Sequence, residues 1–314
     1  MKILVNGSTA YDVLLGYNGS FADAIDTSAL DSLAVSFFSP HYARHHGGTG
    51  ANIAWNLKLL GTEPILVTTI GTDGGDYRTL LEDRDISTQY VEQLSSGATA
   101  TAIIGTDSSE RQITFFHPGA DADGSWPNLN DDRDDISHAI ISPRNAVLMM
   151  EGVRWCDKYK VPFIFDPGQQ VIALSDDELR FGVEHSAGVI ANEYEWGLIS
   201  DRLYLDEKTA LTKTSMVIVT RGDAGVTCFS EDGALNVGPC PPDKVVNPTG
   251  AGDAFRAGLL TGLQAKWSLI DSLRLGNAMG SLAVEIEGTL LDSLDKEAVF
   301  SRAEQTYGEA LPSL

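Results

Sequence analysis

Short apolar runs alternate with helix-like segments along most of the chain, and this alternation restricts the possible folds more than any other feature. Apolar runs rich in β-forming residues lie at 3–5, 64–71, 138–142, 161–166, 187–192 and 215–220. Segments with helical spacing lie between them at 51–61, 74–84 and 145–159. Buried strands that alternate with helices predict an α/β fold with a mostly parallel sheet and helices on both faces. Two C-terminal stretches, 251–285 and 295–307, are also expected to be helical.

Three further segments have strand character but do not fit this alternation: 33–38, 99–106 and 111–117. The last two have no helix between them and are joined by the polar turn 107–110, so all three are expected to form a small antiparallel sheet. The Asp- and Asn-rich segment 121–135 lacks a complete EF-hand pattern, which predicts a surface loop rather than a calcium site. Because no internal repeat or linker is evident, residues 1–314 are expected to form a single domain.

Composition narrows the range of partners and compartments. The net charge of −22 argues against nucleic acid or an anionic membrane as the main partner, since both attract basic surfaces. No apolar run approaches the ~20 residues of a membrane helix, and the N-terminus lacks the pattern of a signal peptide. Cys156, Cys228 and Cys240 are odd in number and scattered, which argues against a disulfide framework and fits a reducing cytoplasm.

The stretch 247-NPTGAGDAFRAG-258 places glycines and a carboxylate at the start of a predicted helix. A glycine inside a helix costs about 1 kcal/mol relative to alanine, so Gly250 and Gly252 require a reason. Backbone N–H groups at a glycine-rich helix start form an anion hole that a phosphate can approach. Asp253 in the same turn could stabilise the helix dipole, or it could accept a proton from a hydroxyl that attacks the phosphate. The flanking glycines favour the second role.

This stretch and 47-GGTGANIAWNLKLLG-61 resemble the two signatures of the PfkB/ribokinase family of carbohydrate and nucleoside kinases. The segments 192-NEYE-195 and 220-TRGDAG-225 are similar to two further motifs of that family, and the resemblance covers nearly the whole chain. It implies a ribokinase-like α/β fold with a small β-sheet lid, formed approximately by 12–45 and 97–120. A Walker A pattern is absent, so the resemblance implies a kinase without a P-loop lysine.

The resemblance also implies which residues handle ATP and magnesium. Asp253 would be the general base, and the amides of Gly250, Ala251 and Gly252 would stabilise charge on the transferred phosphoryl group. Asn192 and Glu195 would orient phosphate oxygens and the waters of Mg²⁺, Glu195 binding the metal through water. The ATP phosphates and ribose would be lined by Thr220, Gly222 and Gly225, and Asn277 would lie near the adenine.

One departure from the family pattern concerns a monovalent cation. The family usually has Asp where this chain has Asn247, in a loop whose oxygens help to hold an activating K⁺. An amide has no charge to offer, which argues against K⁺ activation, although carbonyl oxygens of the loop could still bind the ion.

On the acceptor side, the family holds sugar hydroxyls with an Asp at the position of Asp12, although an Asp there could also simply form a turn. Gly47 and Gly48 would let a sugar lie against the backbone, and Asn52 could both donate to and accept from a diol. The alternative for these three residues is a plain helix entry. Similarity to bacterial adenosine-type kinases adds two substrate-binding residues from the lid segments, Gln112 and Phe116.

The acceptor is therefore expected to be a nucleoside, adenosine first, phosphorylated at its 5′-OH. Alternation along a strand sends Phe115 and Phe116 to opposite faces, and similarity favours Phe116 for stacking on the base, with Phe115 in the lid core. A free sugar such as ribose or a ketohexose ranks second. A sugar phosphate ranks third, because it requires clustered basic residues such as Arg44, Arg111 and His117. A non-catalytic nucleotide sensor is the alternative from another class, and the protein is expected to be a monomer or homodimer.

Overall fold

A computed structural model of the protein describes residues 1–26, 31 and 34–314. Its larger sheet has nine strands in the order β13-β12-β11-β10-β9-β8-β1-β4-β5. These strands are β1 (Lys2–Asn6), β4 (Glu63–Ile70), β5 (Val91–Gln93), β8 (Ile136–Ile141), β9 (Phe163–Phe165), β10 (Gly188–Asn192), β11 (Met216–Thr220), β12 (Val226–Ser230) and β13 (Gly233–Val237). The strands from β11 to β5 are parallel to one another, whereas β12 is antiparallel to both β11 and β13. The predicted mostly parallel sheet is confirmed.

Helices cover both faces of this sheet, as the alternating pattern predicts, except for the short α1, which lies beside the smaller sheet. They are α1 (Phe21–Ala24), α2 (Thr49–Leu60), α3 (Gly75–Asp83), α4 (Ala146–Tyr159), α5 (Asp176–His185), α6 (Glu193–Leu203), α7 (Glu207–Ala210), α8 (Ala251–Gln264), α9 (Leu269–Ala283) and α10 (Lys296–Tyr307). The C-terminal helical region is interrupted at 265–268, where α8 ends and Ser268 caps α9 by accepting the amide of Asp271.

Two separate cores form because successive strand residues point to opposite faces. Ile140 and Ile190 belong to the core that contains residues of α2, α3, α8, α9 and α10. Their neighbours Ile141 and Val189 belong to the core that contains residues of α4, α5 and α6. All four are fully buried, so β8 and β10 are apolar on both sides, which explains their continuous apolar runs in the sequence.

The smaller sheet has four strands in the order β3-β2-β6-β7. They are β2 (Ala10–Gly16), β3 (His41–Gly47), β6 (Ala100–Thr106) and β7 (Gln112–His117). The two predicted strands 99–106 and 111–117 are confirmed as β6 and β7, which pair antiparallel. The sheet is mixed rather than purely antiparallel, because β2 runs parallel to β6.

The predicted strand at 33–38 is wrong. Its first residue, Leu33, lies outside the described residues, and 34–39 form no strand. The ring of Phe37 instead contacts Tyr17 and Phe21 edge-on, each at 5.0 Å between ring centroids. Within this run Phe37 is therefore held by aromatic contacts, and the strand that pairs antiparallel with β2 is the polar segment β3.

The segment 121–135 is only partly the surface loop that was predicted. Asp121 is buried and forms an ion pair with the buried Arg144, Nη2 to Oδ1 2.5 Å. Its other carboxylate oxygen accepts the backbone N–H of Asn145 at 2.7 Å. Leu129 is also fully buried, so this segment is anchored to the main core at two points.

Candidate active site

A cavity of about 720 Å³ opens at the carboxyl ends of the central parallel strands. Pro143, Asp166, Asn192 and Thr220 line it, and they lie at or just beyond the ends of β8, β9, β10 and β11. In open α/β sheets, ligands bind at this edge, where the loops that follow the strands converge. The start of α8 closes one side of the same cavity.

The structure brings most of the predicted nucleotide-handling residues to this cavity. Those that line it are Asn192, Glu195, Thr220, Gly222, Gly225, Ala251, Gly252, Asp253 and Asn277. Gly250 immediately precedes them as the N-cap of α8, with a φ of 85° that a residue bearing a side chain rarely adopts. In the first turn of α8 the backbone N–H groups of Gly252 and Asp253 have no acceptor among the described residues, as an anion hole requires, whereas that of Ala251 donates to the carbonyl of Pro248 at 3.3 Å.

Asp253 is held in place by a residue from the other signature. Asn52, in α2, donates from Nδ2 to Asp253 Oδ2 at 2.7 Å. The Thr289 hydroxyl lies 2.9 Å from Asn52 Oδ1 and 2.9 Å from the carbonyl oxygen of His46, so it can donate to either. These hydrogen bonds fix the orientation of the Asn52 amide. They leave its second Nδ2 hydrogen without an acceptor among the described residues.

The electrostatic environment keeps Asp253 ready to exchange a proton near neutrality. Burial raises the pKa of Asp253 to about 7, while the guanidinium of Arg256 and the Asn52 hydrogen bond act to lower it. The negative charges of Asp166 and Asp12 add to the increase in this pKa. A carboxylate with a pKa close to neutrality is suited to general-base catalysis.

Asn192 and Glu195 form the N-terminal cap of α6. Asn192 Oδ1 accepts the amide of Glu195 at 2.8 Å, and Glu195 Oε2 accepts the amide of Asn192 at 2.9 Å. This capping box accounts structurally for the N-x-x-E spacing. Burial raises the pKa of Glu195, and no described residue donates to its Oε1. Among the described residues, no group of three or more His, Cys, Asp or Glu is arranged to hold a metal ion.

Asn277 also lines the cavity, and both hydrogens of its amide nitrogen have acceptors. Nδ2 donates to the carbonyl of Gly238 at 2.8 Å and lies 3.1 Å from the hydroxyl of Tyr307, which itself donates to Gly238 at 2.9 Å. The side-chain oxygen of Asn277 is left as an acceptor. An acceptor at this position suits the amino group of an adenine.

Asn247 differs from the charged residue that is usual at its position. Its Oδ1 accepts the backbone N–H of Thr249 at 3.0 Å, which forms a local turn in the loop before α8. The side chain therefore contributes no charge to a cation, and one lone pair of its oxygen is already occupied.

Asp12, which was predicted to bind the acceptor, lies in β2 of the small sheet. Gly47 lies directly against its carboxylate, since a Cβ at Gly47 would fall 2.2 Å from Asp12 Oδ2. No described residue donates a hydrogen bond to this carboxylate. Burial raises the pKa of Asp12 to about 6, and the positive charge of His45 partly offsets this increase. An unpaired, partly buried carboxylate can accept hydroxyl groups from a ligand.

Phe116 shares a face of the small sheet with Asp12. The register aligns His45, Asp12, Ala102 and Phe116 in one row across the four strands. Phe115 points to the opposite face and is 68% exposed, so its predicted place in a lid core is wrong. Phe116 is 47% exposed, which leaves its ring available on the face that carries Asp12.

The structure separates several residues from the site. Gln112 is four residues from Phe116 at the other end of β7, and its Nε2 contacts Thr106 Oγ1 at 3.4 Å. Arg44 and His117 lie on the face opposite Asp12, because they align with Val13 and Thr101. Arg111, outside β7, contacts Ser20. The basic cluster expected for a sugar-phosphate acceptor is therefore not assembled next to Asp12.

Asp166 and Arg256 line the cavity as well, although neither was predicted from the sequence as a site residue. Arg256 donates from Nε and Nη2 to the two carboxylate oxygens of Asp166, at 2.6 and 2.7 Å. The signal available in the sequence was an arginine three positions after Asp253, on the same face of a predicted helix.

Comparison with known proteins identifies the family of this chain. The pfkB family model of carbohydrate kinases matches residues 22–296. This chain belongs to that family. It is therefore a phosphotransferase with an alcohol group as acceptor, and the predicted ribokinase-like fold is confirmed.

Several relatives are nucleoside kinases. That of Methanocaldococcus jannaschii is 29% identical over 261 residues, covering 82% of this chain and 85% of that protein. The structure of Burkholderia thailandensis nucleoside kinase in complex with inosine has a TM-score of 0.90 at 32% identity, covering 99% of this chain and 100% of that one. Its complex with ADP-inosine has a TM-score of 0.88 at 32% identity, covering 99% and 98%. A fructokinase of Escherichia coli is 28% identical over 278 residues, covering 78% of this chain and 87% of that protein.

Proposed function

We propose that this enzyme transfers the γ-phosphoryl group of ATP to the 5′-hydroxyl of a purine nucleoside, with adenosine as the first candidate. The observation that carries the proposal is the position of Asp253. Its carboxylate lies in the first turn of α8, lines the cavity and accepts a hydrogen bond from Asn52 of the acceptor-side signature. The similarity to nucleoside kinases, including one in complex with inosine, supports a nucleoside acceptor.

The reaction follows from this arrangement. The carboxylate of Asp253 takes the proton of the acceptor hydroxyl while the acceptor oxygen attacks the γ-phosphorus. The bond from the γ-phosphorus to the bridging oxygen breaks, and ADP leaves. The amides of Gly250, Ala251 and Gly252 stabilise the charge on the transferred group. Those of Gly250 and Gly252 have no acceptor among the described residues, whereas that of Ala251 exchanges a 3.3 Å contact with the carbonyl oxygen of Pro248 for the phosphoryl oxygen.

Mg²⁺ fits the residues on the nucleotide side only through water and ATP. Bound Mg²⁺ would supply charge neutralisation to the phosphates. Glu195 has one carboxylate oxygen free of described donors, and with Asn192 it would hold the hydrated ion. Thr220, Gly222 and Gly225 line the phosphate and ribose path, and Asn277 offers its oxygen to the adenine amino group. The proposal includes no K⁺, because Asn247 offers no charge.

On the acceptor side, we assign the ribose hydroxyls to Asp12 and Asn52. The unpaired carboxylate of Asp12 accepts hydroxyl hydrogens, and the remaining Nδ2 hydrogen of Asn52 donates to a hydroxyl oxygen. Gly47 leaves room for the Asp12 carboxylate, because a Cβ at Gly47 would collide with it, and Gly48, at a φ of 93°, lies against the backbone of residues 8–10. The small sheet would act as the lid over this half of the site and exclude water.

We expect the Phe116→Ala variant to lose affinity for nucleosides but not for free ribose. Loss of a stacking ring should weaken nucleoside binding by about 1–3 kcal/mol. A ring that stacks on the base contributes nothing to a substrate that lacks the base. The measurement is kcat/KM for adenosine and for ribose in the wild type and the variant.

Phe115→Ala is the matched control for this experiment. It removes the same ring from the next residue of β7, but on the face opposite Asp12. We expect it to leave kcat/KM for adenosine within a few-fold of the wild type. Equal losses for adenosine and ribose in Phe116→Ala, or equal losses in the two variants, would reject the stacking role.

The pH dependence of activity should report Asp253 and Asp12. Because burial raises the pKa of Asp253 to about 7, the protonated form dominates at lower pH and cannot accept a proton. We expect kcat/KM to increase with pH up to about neutrality and then to level off. Protonation of Asp12, which has a pKa of about 6, should make kcat/KM fall more steeply at lower pH. In the Asp12→Asn variant this additional fall should be absent. A profile that is flat across this range would contradict both assignments.

A sugar kinase is the second candidate, because the fructokinase of Escherichia coli is also a relative. ADP release measured with adenosine, inosine, ribose and fructose separates the two functions. We expect release with the nucleosides. A clear preference for ribose or fructose over every nucleoside would replace the proposal with a sugar kinase. ATP binding without turnover on any acceptor would indicate a nucleotide sensor.

We place the enzyme in the cytoplasm, in line with its three free and buried cysteines, Cys156, Cys228 and Cys240. Among the described residues, no helix combines the length and the hydropathy needed to cross a membrane. Asp12, Asn52 and Asp253 all come from one chain, so the proposal holds equally for a monomer and for a homodimer. Its partners are small molecules, ATP and the acceptor, rather than nucleic acid or a membrane surface.

A further inference from the structure

The cavity is lined by more carboxylates than basic side chains, and one arginine is placed to compensate the phosphates of a bound nucleotide. Asp166, Glu195, Asp223 and Asp253 all line it, and among the described residues Arg256 is the only Lys or Arg that does so. A bound nucleoside triphosphate would add several negative charges to these carboxylates. Because the chain has no P-loop lysine, Arg256 is the side chain available to compensate the phosphates.

Arg256 lies beside the anion hole. Long side chains of a helix lean toward its N-terminus, so the guanidinium of Arg256 covers the first turn of α8. Its Nη1 donates to the carbonyl of Gly252 at 3.0 Å. A Cβ at Gly252 would fall 2.9 Å from the same nitrogen, so the guanidinium lies directly against this residue. A phosphoryl group bound by the Gly252 amide would therefore be next to the guanidinium.

Asp166 fixes the guanidinium in one orientation. Its two carboxylate oxygens accept from Nε and Nη2 at 2.6 and 2.7 Å, and Asp166 itself is fully buried. With the bond to Gly252, three of the five N–H groups of Arg256 have acceptors. The other two have none among the described residues, although the residue is only 9% exposed. Buried, unpaired donors that line a cavity are suited to bind an anion.

We propose that Arg256 is a catalytic residue that binds the phosphoryl group during transfer, and that Asp166 is a positioning residue that holds the guanidinium. This inference rests on the proposed kinase function and adds a residue to it. The acceptor oxygen forms its bond to the γ-phosphorus, the bond to the bridging oxygen of ADP breaks, and the proton moves to Asp253. Arg256 exchanges no proton. It donates its two free N–H groups to oxygens of the transferred group, as an arginine supplied in cis does in some GTPases.

The competing explanation is that Arg256 and Asp166 form only a structural ion pair. Loss of one partner of a buried pair leaves the other charge uncompensated, which can destabilise a protein for reasons unrelated to catalysis. The test therefore compares Arg256→Met with the double variant Arg256→Met/Asp166→Asn, which removes both charges. The readouts are kcat, the melting temperature and the Kd for the nucleoside.

If Arg256 binds the phosphoryl group, both variants should lose about 100-fold or more in kcat. The double variant should recover the melting temperature but not the turnover, and the nucleoside Kd should change little. If the double variant recovers kcat to within a few-fold of the wild type, the pair is structural and the proposal is overturned. If Arg256→Met fails to fold, Arg256→Lys is the alternative, because it keeps the positive charge but loses the paired N–H donors of the guanidinium. An unchanged kcat in that variant would also overturn the proposal.

Nucleotide binding tests the contact without any turnover. A non-hydrolysable ATP analogue carries the γ-phosphoryl group, whereas ADP does not. In the double variant we expect the Kd of the ATP analogue to increase by about tenfold more than the Kd of ADP, the scale of one charge-assisted contact. Equal changes for the two nucleotides would contradict the contact. Because this result does not depend on the acceptor, a wild type that is inactive on nucleosides would reject the proposed function while leaving the role of Arg256 measurable.

Discussion

The Asp253→Asn variant should retain its substrates and lose most of its turnover. An amide cannot accept the proton of the acceptor hydroxyl, and general-base catalysis typically contributes about 10²–10⁴-fold in rate. Asn can still accept the Asn52 hydrogen bond, so the affinities for ATP and nucleoside should stay within a few-fold. The measurement is kcat by ADP release together with Kd values for both substrates. A variant with nearly normal kcat would remove Asp253 from its assigned role.

The same substitution should make the protein more stable, which separates loss of catalysis from loss of fold. Burial raises the pKa of Asp253 to about 7, so the folded state holds the proton more tightly than the unfolded state does. The ionised carboxylate therefore lowers the free energy of unfolding as the pH rises from about 4 to about 7. The gain in melting temperature for Asp253→Asn should be largest at pH values above about 7 and should shrink toward pH 4.

Asp223→Asn is the matched control for Asp253→Asn. Asp223 also lines the cavity, so the substitution removes one carboxylate charge from the same space. It carries no role in proton transfer, and we expect kcat to stay within a few-fold of the wild type. If the two variants lose turnover equally, the loss reflects the charge of the cavity rather than the proton acceptor.

The Arg144→Met variant should be strongly destabilised. Arg144 donates to Asn6 Oδ1 at 3.0 Å, to the carbonyl of Val67 at 3.1 Å and to Thr69 Oγ1 at 2.9 Å. It also forms the buried ion pair with Asp121, next to the segment that leaves β7. Removal of one partner of such a pair costs about 3–5 kcal/mol, because the other charge is left buried and uncompensated. Denaturant unfolding measures this loss.

Arg133→Met is the control for this experiment. Arg133 pairs with Asp134 at 2.8 Å, but both side chains are exposed. Water and dissolved salt screen the attraction in an exposed ion pair, so the free energy of unfolding should hardly change. Similar losses in the two variants would show that the burial of Arg144 is not what makes it important.

The parts of the fold that could be predicted from sequence are those set by local patterns. The alternation of apolar runs and helical segments predicted six strands of the parallel sheet, because inner strands must be apolar on both faces, but it missed the short strand β5. The strands β6 and β7 were predicted from their strand character outside that alternation. The start of α8 was predictable because its N-cap has a positive φ, which favours glycine, and Gly250 is visible in the sequence. Phe37 shows the limit, since the same apolar run could pair as a strand or pack as aromatic rings, and contacts with Tyr17 and Phe21 decide it.

The parts of the site that could not be predicted depend on residues far apart in the chain. Asp166 and Arg256 are separated by 90 positions, and Asp121 and Arg144 by 23. A charged residue in a sequence gives no sign of whether a partner will compensate it in the core. Asp121 therefore looked like part of a solvated loop, and Arg256 like an ordinary helix residue.

The most direct test of the central claim is the destination of the γ-phosphoryl group of labelled ATP. The wild type and Asp253→Asn would be given adenosine, inosine, ribose and fructose, and the products separated and identified. The account predicts label on the 5′-oxygen of the nucleosides in the wild type, little label on the free sugars, and a loss of about 10²-fold or more in Asp253→Asn. Label found on ribose or fructose but on neither nucleoside would contradict the account.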